Sequence, residues 1–458
     1  MRSTLLLAAA ISLVTTDICL AIDPLAQEYG ELVFSSLLYR HGDRAITDLS
    51  YPKDPYRNAS YWPMGYGQLT NQGKERHYEF GKWIRNRYSD FLPVRYSSED
   101  IYIRSTSVDR ALMSAAVNLA GLYAPIADQK WNNKLGTLWQ PIPIHSIPRD
   151  LDKSLSFGNN CPRFTRDFNN LQNLPEIQRF NEDHQPLYNY LKENSGMNFT
   201  DLIDDTLTLY DLLLVETQFN YTLPNWTHSV FPDKLREVSE LAFLLPTYTP
   251  ILKKLSCGVL LNEIVDNMKQ KRNGTMQTDF KLWVYSAHDT NVAGLLHSLN
   301  VYNHKLPPYT AAVFVELRKN KNSNNTFVVT VSYRNTSTHD PYLLHVPGCD
   351  SIACDLDQFI DVVNPILLTD WYKECHKPEE NNVLAYFGII AVILIAVSII
   401  FFMLNKKYFI CYCGRNYQKL YHAVPREETE TVDFDQDGRS RVAVSFRMNG
   451  VESTSADV

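Results

Sequence analysis

The run LVFSSLLYRHGDR, Leu32 to Arg44, decides the fold. Its first part, Leu32–Leu38, is apolar or small at every position, the pattern of a strand buried on both faces rather than one alternating between core and solvent. Two further β-rich runs follow downstream, Asp100–Arg104 (DIYIR) and Phe280–Ser286 (FKLWVYS), and each of the three leads into a helical pattern. Thr70 can cap a helix reaching Tyr88, with Phe80, Ile84 and Tyr88 at i, i+4, i+8. Val108–Tyr123 is rich in Ala and Leu, and Asn291–Leu299 begins another helix. Strands alternating with helices predict an α/β fold with a mainly parallel sheet flanked by helices. Ala311–Leu317 and Phe327–Tyr333 bracket a Lys/Asn/Ser loop and predict an antiparallel hairpin at the sheet's edge. Residues from about 125 to 250 are Pro-punctuated, acidic and amide-rich, and predict an inserted α-helical cap over the sheet.

Each predicted strand ends in reactive residues. Tyr39-Arg40-His41-Gly42-Asp43-Arg44 follows the first, Arg104-Ser105-Thr106 ends the second, and Ala287-His288-Asp289-Thr290 ends the third. Ligands of open α/β sheets bind beyond the carboxyl ends of the strands, so three clusters converge on one expected pocket. Arg40, Arg44 and Arg104 supply forked donors that match phosphate oxygens in pairs. Helix N-termini following such loops add backbone N–H donors. No Walker-type glycine loop and no zinc or two-metal spacing is present, so no metal and no cofactor is expected. Phosphoryl transfer from an ester then needs a nucleophile and a proton donor. His41, set between Arg40 and Arg44, is the better nucleophile, because neighbouring cations keep an imidazole neutral. Asp289 is the better acid and the later activator of water. Asp43, enclosed by arginines, reads as a positioning carboxylate.

Composition sets the compartment. The 458 residues are 45% hydrophobic and 21% charged with a net charge of −7, which excludes a largely disordered or collagen-like chain and gives no support to nucleic-acid binding. Two apolar segments stand out. Thr4–Val14 lies behind Arg2 and ahead of Cys19-Leu20-Ala21, which describes a secretory signal over residues 1–21. Val383–Leu404 carries no charge and, at 1.5 Å per residue, spans roughly 33 Å, enough for a bilayer core. Lys406 and Lys407 follow it while Glu379 and Glu380 precede it, so the C-terminus is expected in the cytosol. Asn58, Asn198, Asn220, Asn225, Asn273, Asn324 and Asn335 open glycosylation triplets, all on the lumenal side. The expected layout is a type I membrane protein: a lumenal or extracellular domain over 22–382, a transmembrane helix over 383–404 and a tail over 405–458.

The expected lumenal domain holds Cys161, Cys257, Cys349, Cys354 and Cys375, an odd number. Cys411 and Cys413 are juxtamembrane and read as palmitoylation candidates. The tail has few apolar clusters and an acidic run at 427–437, the composition of a disordered segment. It carries Tyr417-Gln-Lys-Leu420 and Tyr421-His-Ala-Val424, tetrapeptides of the form that a clathrin adaptor binds as an extended strand.

The chain resembles the histidine acid phosphatases of the lysosomal and prostatic type. LLYRHGDR (37–44), GYGQLTNQG (65–73), YIRSTSVDRALMSA (102–115), WQPIPIHSIP (139–148), NCPRF (160–164), YTLPNW (221–226), YSAHDTN (285–291) and HVPGC (345–349) carry the resemblance, from about Leu32 to Cys375. The resemblance implies a phosphoglycerate-mutase-like α/β core with a cap, a homodimer, and hydrolysis of phosphate monoesters without metal. It further implies a phosphohistidine at His41, phosphate held by Arg40, Arg44, Arg104 and His288, proton donation by Asp289, and disulfides Cys161–Cys375 and Cys349–Cys354. Cys257 is then the odd thiol. The chain departs from the family pattern at Ala45-Ile46, where many members have a proline. Rival readings are a surface enzyme of narrower specificity, for AMP or inositol phosphates, and a catalytically silent receptor-like ectodomain. The expected location is the lysosomal membrane or the cell surface.

Overall fold

The computed structural model describes residues 23, 25–47, 50–320, 326–336, 338–378, 386–405, 430–434 and 440–444. The chain divides into two units, Met1–Lys377 and Pro378–Val458.

The first unit is built on one sheet. Its strands are β1 (Glu31–Arg40), β2 (Ile101–Thr106), β3 (His145–Ile147), β4 (Leu282–Ala287), β5 (Ala312–Asn320), β6 (Thr326–Arg334), β7 (Tyr342–Leu344) and β8 (Cys354–Asp355). The order is β3-β2-β4-β1-β5-β6-β7, with β8 also on β6. The pairs β3–β2, β2–β4 and β4–β1 are parallel; β1–β5, β5–β6, β6–β7 and β6–β8 are antiparallel. The sheet is therefore mixed, not mainly parallel. The reason is topological: after its third helix-linked strand the chain stops crossing over and adds β5 and β6 as a hairpin directly beside β1. That hairpin is the one expected from its two β-rich runs, and it sits inside the sheet because β7 and β8 extend it.

The helices of this unit are α1 (Ala26–Tyr29), α2 (Asn71–Arg87), α3 (Asp109–Leu122), α4 (Pro162–Asn169), α5 (Pro175–Asp183), α6 (Gln185–Ser195), α7 (Leu202–Gln218), α8 (Asp233–Ala242), α9 (Pro250–Asn273), α10 (Asp289–Ser298), α11 (Leu356–Val363) and α12 (Trp371–Cys375). Strand β1 sorts its side chains by alternation. Phe34 and Leu38 enter one core with Leu260, Ile264 and Leu295 from α9 and α10. Leu37 and Tyr39 enter the other with Phe80 and Ile84 from α2 and Leu119 from α3. Leu32 breaks the alternation by joining Leu37, and a register shift between Leu32 and Phe34 accounts for it, since one extra residue reverses the facing of all that precede it. Phe80, Ile84 and Tyr88 form the buried stripe expected at i, i+4, i+8, each contributing about 1.5–3 kcal/mol by removal from water. Thr70 caps α2 by accepting the N–H of Gly73.

Between residues 125 and 250 the chain is mostly helical, but residues 145–147 form β3 and belong to the sheet. Helices α6 and α7 pack around their own core of Leu191, Leu209, Leu213 and Val215. Two disulfides are formed, Cys161–Cys375 and Cys349–Cys354, and Cys257 is a buried free thiol.

Among its described residues the second unit has one helix, Tyr386–Asn405, of 20 residues, with a mean hydropathy of 3.1 over an 18-residue window. It also contains an antiparallel pair, β9 (Glu430–Phe434) and β10 (Ser440–Val444). That pair departs from the disorder expected of the tail. TVDF and RVAV are β-prone runs separated by a turn-forming Asp-Gly, a local signal that the acidic average concealed. Tyr417, Leu420, Tyr421, Val424, Cys411, Cys413, Asn324 and residues 1–21 lie outside the described residues.

Candidate active site

Strands β2, β4 and β1 are neighbours and end level with one another: Arg40 is opposite Ala287 and Ser105 opposite Ser286. The residues that follow them are therefore brought together. His41 continues the ladder, its N–H donating to the Ala287 carbonyl at 3.0 Å. Gly42 then turns the chain against α2, where a Cβ would come within 2.5 Å of the Gly73 carbonyl oxygen, so only glycine fits.

A cavity of about 470 Å³ opens beyond these strand ends. His41, Arg44, Thr106, Arg110, His288 and Asp289 line it, and Leu155, Phe157, Phe164, Phe168 and Pro246 supply the apolar part of its wall. Of the residues predicted from sequence, His41, Arg44, His288 and Asp289 face this space. Arg40 stands behind it, holding Asp289 at 2.7 Å and lying 4.1 Å over the Tyr309 ring.

Arg104 does not reach the cavity. It lies on the same face of β2 as Thr106 but two residues, about 7 Å, back from the strand's end. Its guanidinium is paired with buried Asp152 and with Glu263 at 3.3 Å. Arg110 takes the position expected of Arg104, with its Nε donating to His41 Nε2 at 3.0 Å. It occupies the first turn of α3, in the same RSTSVDR segment; the strand-to-helix transition at Val108, rather than the last polar residue of the strand, was the signal for it. Asp211 of α7 was also not anticipated. Both its oxygens accept from Arg44 Nη2, at 3.0 and 2.9 Å. An isolated carboxylate within the apolar run LYDLLLV was the available clue. Asp43, within the Arg40–Arg44 loop, pairs with Arg76 at 3.3 Å and does not line the cavity.

Hydrogen bonds fix both imidazole tautomers. His41 Nδ1 donates to the Gly42 carbonyl at 2.8 Å, which leaves a lone pair on Nε2 facing Arg110. Burial first, then Arg40, His288, Arg110 and Arg44, hold the His41 pKa well below its ordinary value. The His288 side chain caps α10 by accepting the Asn291 N–H, so Nε2 carries the hydrogen and donates to Thr106 Oγ1 at 3.0 Å. Burial, followed by Arg110, lowers the His288 pKa to about 3. Burial pushes Asp289 upward, but Arg40, Arg44 and His288 outweigh it and the net is below the ordinary carboxylate value. Burial, then the charge of Arg44, lowers Arg110 to about 10, so it remains a cation in acid. The cavity thus combines a neutral nucleophilic nitrogen, cationic donors and a carboxyl group. Such a set suits transfer of a phosphoryl group. Among the described residues no cluster of three or more His, Cys, Asp or Glu is arranged to hold a metal ion.

The chain is 43% identical over 350 residues to human prostatic acid phosphatase, covering 75% of this chain and 88% of the relative. It is 36% identical over 392 residues to lysosomal acid phosphatase of Xenopus laevis, covering 84% and 88%. Among solved structures it resembles the phytase of Citrobacter braakii at 18% identity and a TM-score of 0.55, covering 75% of this chain and 99% of that one, a likeness of fold. The family model matches residues 31–334, and the chain belongs to the histidine phosphatase superfamily (branch 2).

Proposed function

We propose that this protein is an acid phosphatase that hydrolyses phosphate monoesters through a phosphohistidine on His41. The observation that carries the reading is the His41 Nε2 lone pair, held toward Arg110 in a cavity shared with Arg44, His288 and Asp289. The phosphate oxygens of a substrate displace the resting contacts and take donors from Arg44, Arg110 and His288 Nε2. Arg40 acts through Asp289. His41 Nε2 attacks phosphorus, the P–O bond to the leaving alcohol breaks, and Asp289 gives that oxygen its proton. The dianion offsets the charges of Arg40 and Arg44, which favours protonation of Asp289 in the complex over the free site. Water then attacks the phosphohistidine, Asp289 takes its proton, and the P–N bond breaks to release phosphate. Acid phosphatase relatives at 36–43% identity support this activity over the narrower readings. Purified full-length protein should form an acid-labile, alkali-stable phosphoenzyme from p-nitrophenyl phosphate; its formation by His41→Ala would refute the assignment.

The same relatives and the sequence support a placement. We assign residues 1–21 to a signal, 22–382 to a lumenal or extracellular catalytic domain, 383–404 to a membrane span and 405–458 to a cytosolic tail with adaptor-binding Tyr417 and Tyr421 motifs. The apolar helix Tyr386–Asn405 supports the anchor, and the lysosomal relatives support a lysosomal or surface location. Exposure of Asn58, Asn198, Asn220, Asn225 and Asn273, with Asn335 half-buried, supports glycosylation. Helices α4 to α8 serve as the cap; Asp211 on Arg44 and Phe164 and Phe168 on the apolar wall support that role. The homodimer reading is supported by β3, an edge strand exposed along its length, and by exposed Trp131 and Leu138 in the chain segment that leads into it.

A further inference from the structure

A second cavity, of about 620 Å³, lies along α2 and includes none of the residues that line the candidate active site. Arg334, the last residue of β6, forms part of its wall and is only 4% exposed. Its Nε is sealed from solvent without a hydrogen-bond partner, and the carboxylate whose charge reaches it, Asp340, instead accepts from Trp83 Nε1 at 3.1 Å. Its guanidinium instead faces two aromatic rings, 4.7 Å from the centre of Phe80 and 5.4 Å from that of Trp83. Cation–π contacts on the faces of a guanidinium leave its in-plane N–H groups for an acceptor in that plane. A buried cation that no carboxylate pairs directly is costly. That cost is relieved by an anion.

The rest of the wall has suitable charge. Arg76 lines the same cavity, and its contact with Asp43 uses Nε at 3.3 Å. Lys82 and Glu79 pair with each other at 3.0 Å and largely cancel, leaving Glu75 against two guanidinium groups. We propose that this cavity is a binding site for a small oxyanion, phosphate or carboxylate, held by Arg334 and Arg76. The site adjoins the catalytic loop. Arg76 holds Asp43, and the next residue, His77, donates from Nε2 to the Arg40 carbonyl at 3.1 Å.

Equilibrium dialysis of the full-length chain against radiolabelled inorganic phosphate tests the proposal. Arg334→Gln should bind one phosphate per chain fewer than wild type, and Arg76→Gln should bind that phosphate severalfold more weakly, with no dependence on turnover. Retained hydrolysis of p-nitrophenyl phosphate by Arg334→Gln would show the fold intact; should that variant fail to fold, Arg76→Gln decides alone. Displacement of the second phosphate by succinate would make carboxylates equal ligands, whereas resistance to succinate would identify phosphate as the occupant. Equal phosphate stoichiometry and affinity in wild type and variants would overturn the site.

Discussion

Arg110 Nε lies 3.0 Å from His41 Nε2, a donor directed at the nitrogen that we assign as the nucleophile. In the proposed mechanism a phosphate oxygen takes this donor when substrate enters. Arg110→Ala should therefore lower kcat/KM by about 10²–10³ with little change in thermal stability. Arg104→Ala should do the opposite, because it leaves the Asp152 carboxylate buried without its cation, with only the Ser154 and Leu155 N–H groups as donors, at a cost of about 3–5 kcal/mol. Steady-state kinetics and thermal melts on the two variants distinguish the roles. A larger catalytic loss in Arg104→Ala, with its melting point unchanged, would return that residue to the site.

Asp289 is expected to matter in proportion to the leaving group's need for a proton. Asp289→Asn should slow phosphorylation by an alkyl phosphate by about 10²–10⁴. Phosphorylation by p-nitrophenyl phosphate, whose leaving group departs as a stable anion, should be much less affected. Rapid-quench measurement of phosphoenzyme formation isolates this step. Equal slowing of both esters would remove Asp289 from the role of acid.

The acid limb of phosphoenzyme formation should lie well below the ordinary histidine pKa of 6.5, because burial and then the surrounding cations disfavour the imidazolium of His41. Removing one of those cations weakens the effect, so Arg110→Ala should move the limb upward. A limb at 6.5 in wild type would contradict the electrostatic account.

Stability should respond to a different pair of groups. Glu216 and Asp54 are buried side by side, and burial, then the charge of Asp54, pushes Glu216 up to about 8. Both unfolded and folded forms hold the proton below about 4.5, the reference value. Above it the unfolded chain releases the proton while the folded one keeps it, so stability falls as pH rises toward 8. Glu216→Gln should raise the melting temperature by a few degrees at pH 7.5 and change it little at pH 4.5. Equal effects at both values would show that Glu216 does not carry the pH dependence.

Much of the fold was legible because its signals are local. The three site-bearing strands β1, β2 and β4 are uninterrupted β-rich runs, and the Phe80, Ile84, Tyr88 stripe is a periodicity visible without coordinates. What was not legible depends on distance. Whether β1 gains an antiparallel neighbour depends on where residues 312–320 land, which no local pattern states. The choice between Arg104 and Arg110 depends on a setback of about 7 Å along β2 and on Asp152, 48 residues away, as the competing partner. Asp211 reaches Arg44 across 167 residues and a change of structural layer.

The Cys161–Cys375 bond joins residues 214 positions apart. The loop it closes contains Asp211, His288 and Asp289, while His41, Arg44 and Arg110 lie on the arm outside it. A single peptide-bond cut anywhere between the two cysteines would therefore leave one covalent molecule with all six groups still attached. Such a nicked form would keep its full mass until reduction separated it into two fragments, one carrying the nucleophile and the other carrying Asp289 wherever the cut precedes that residue.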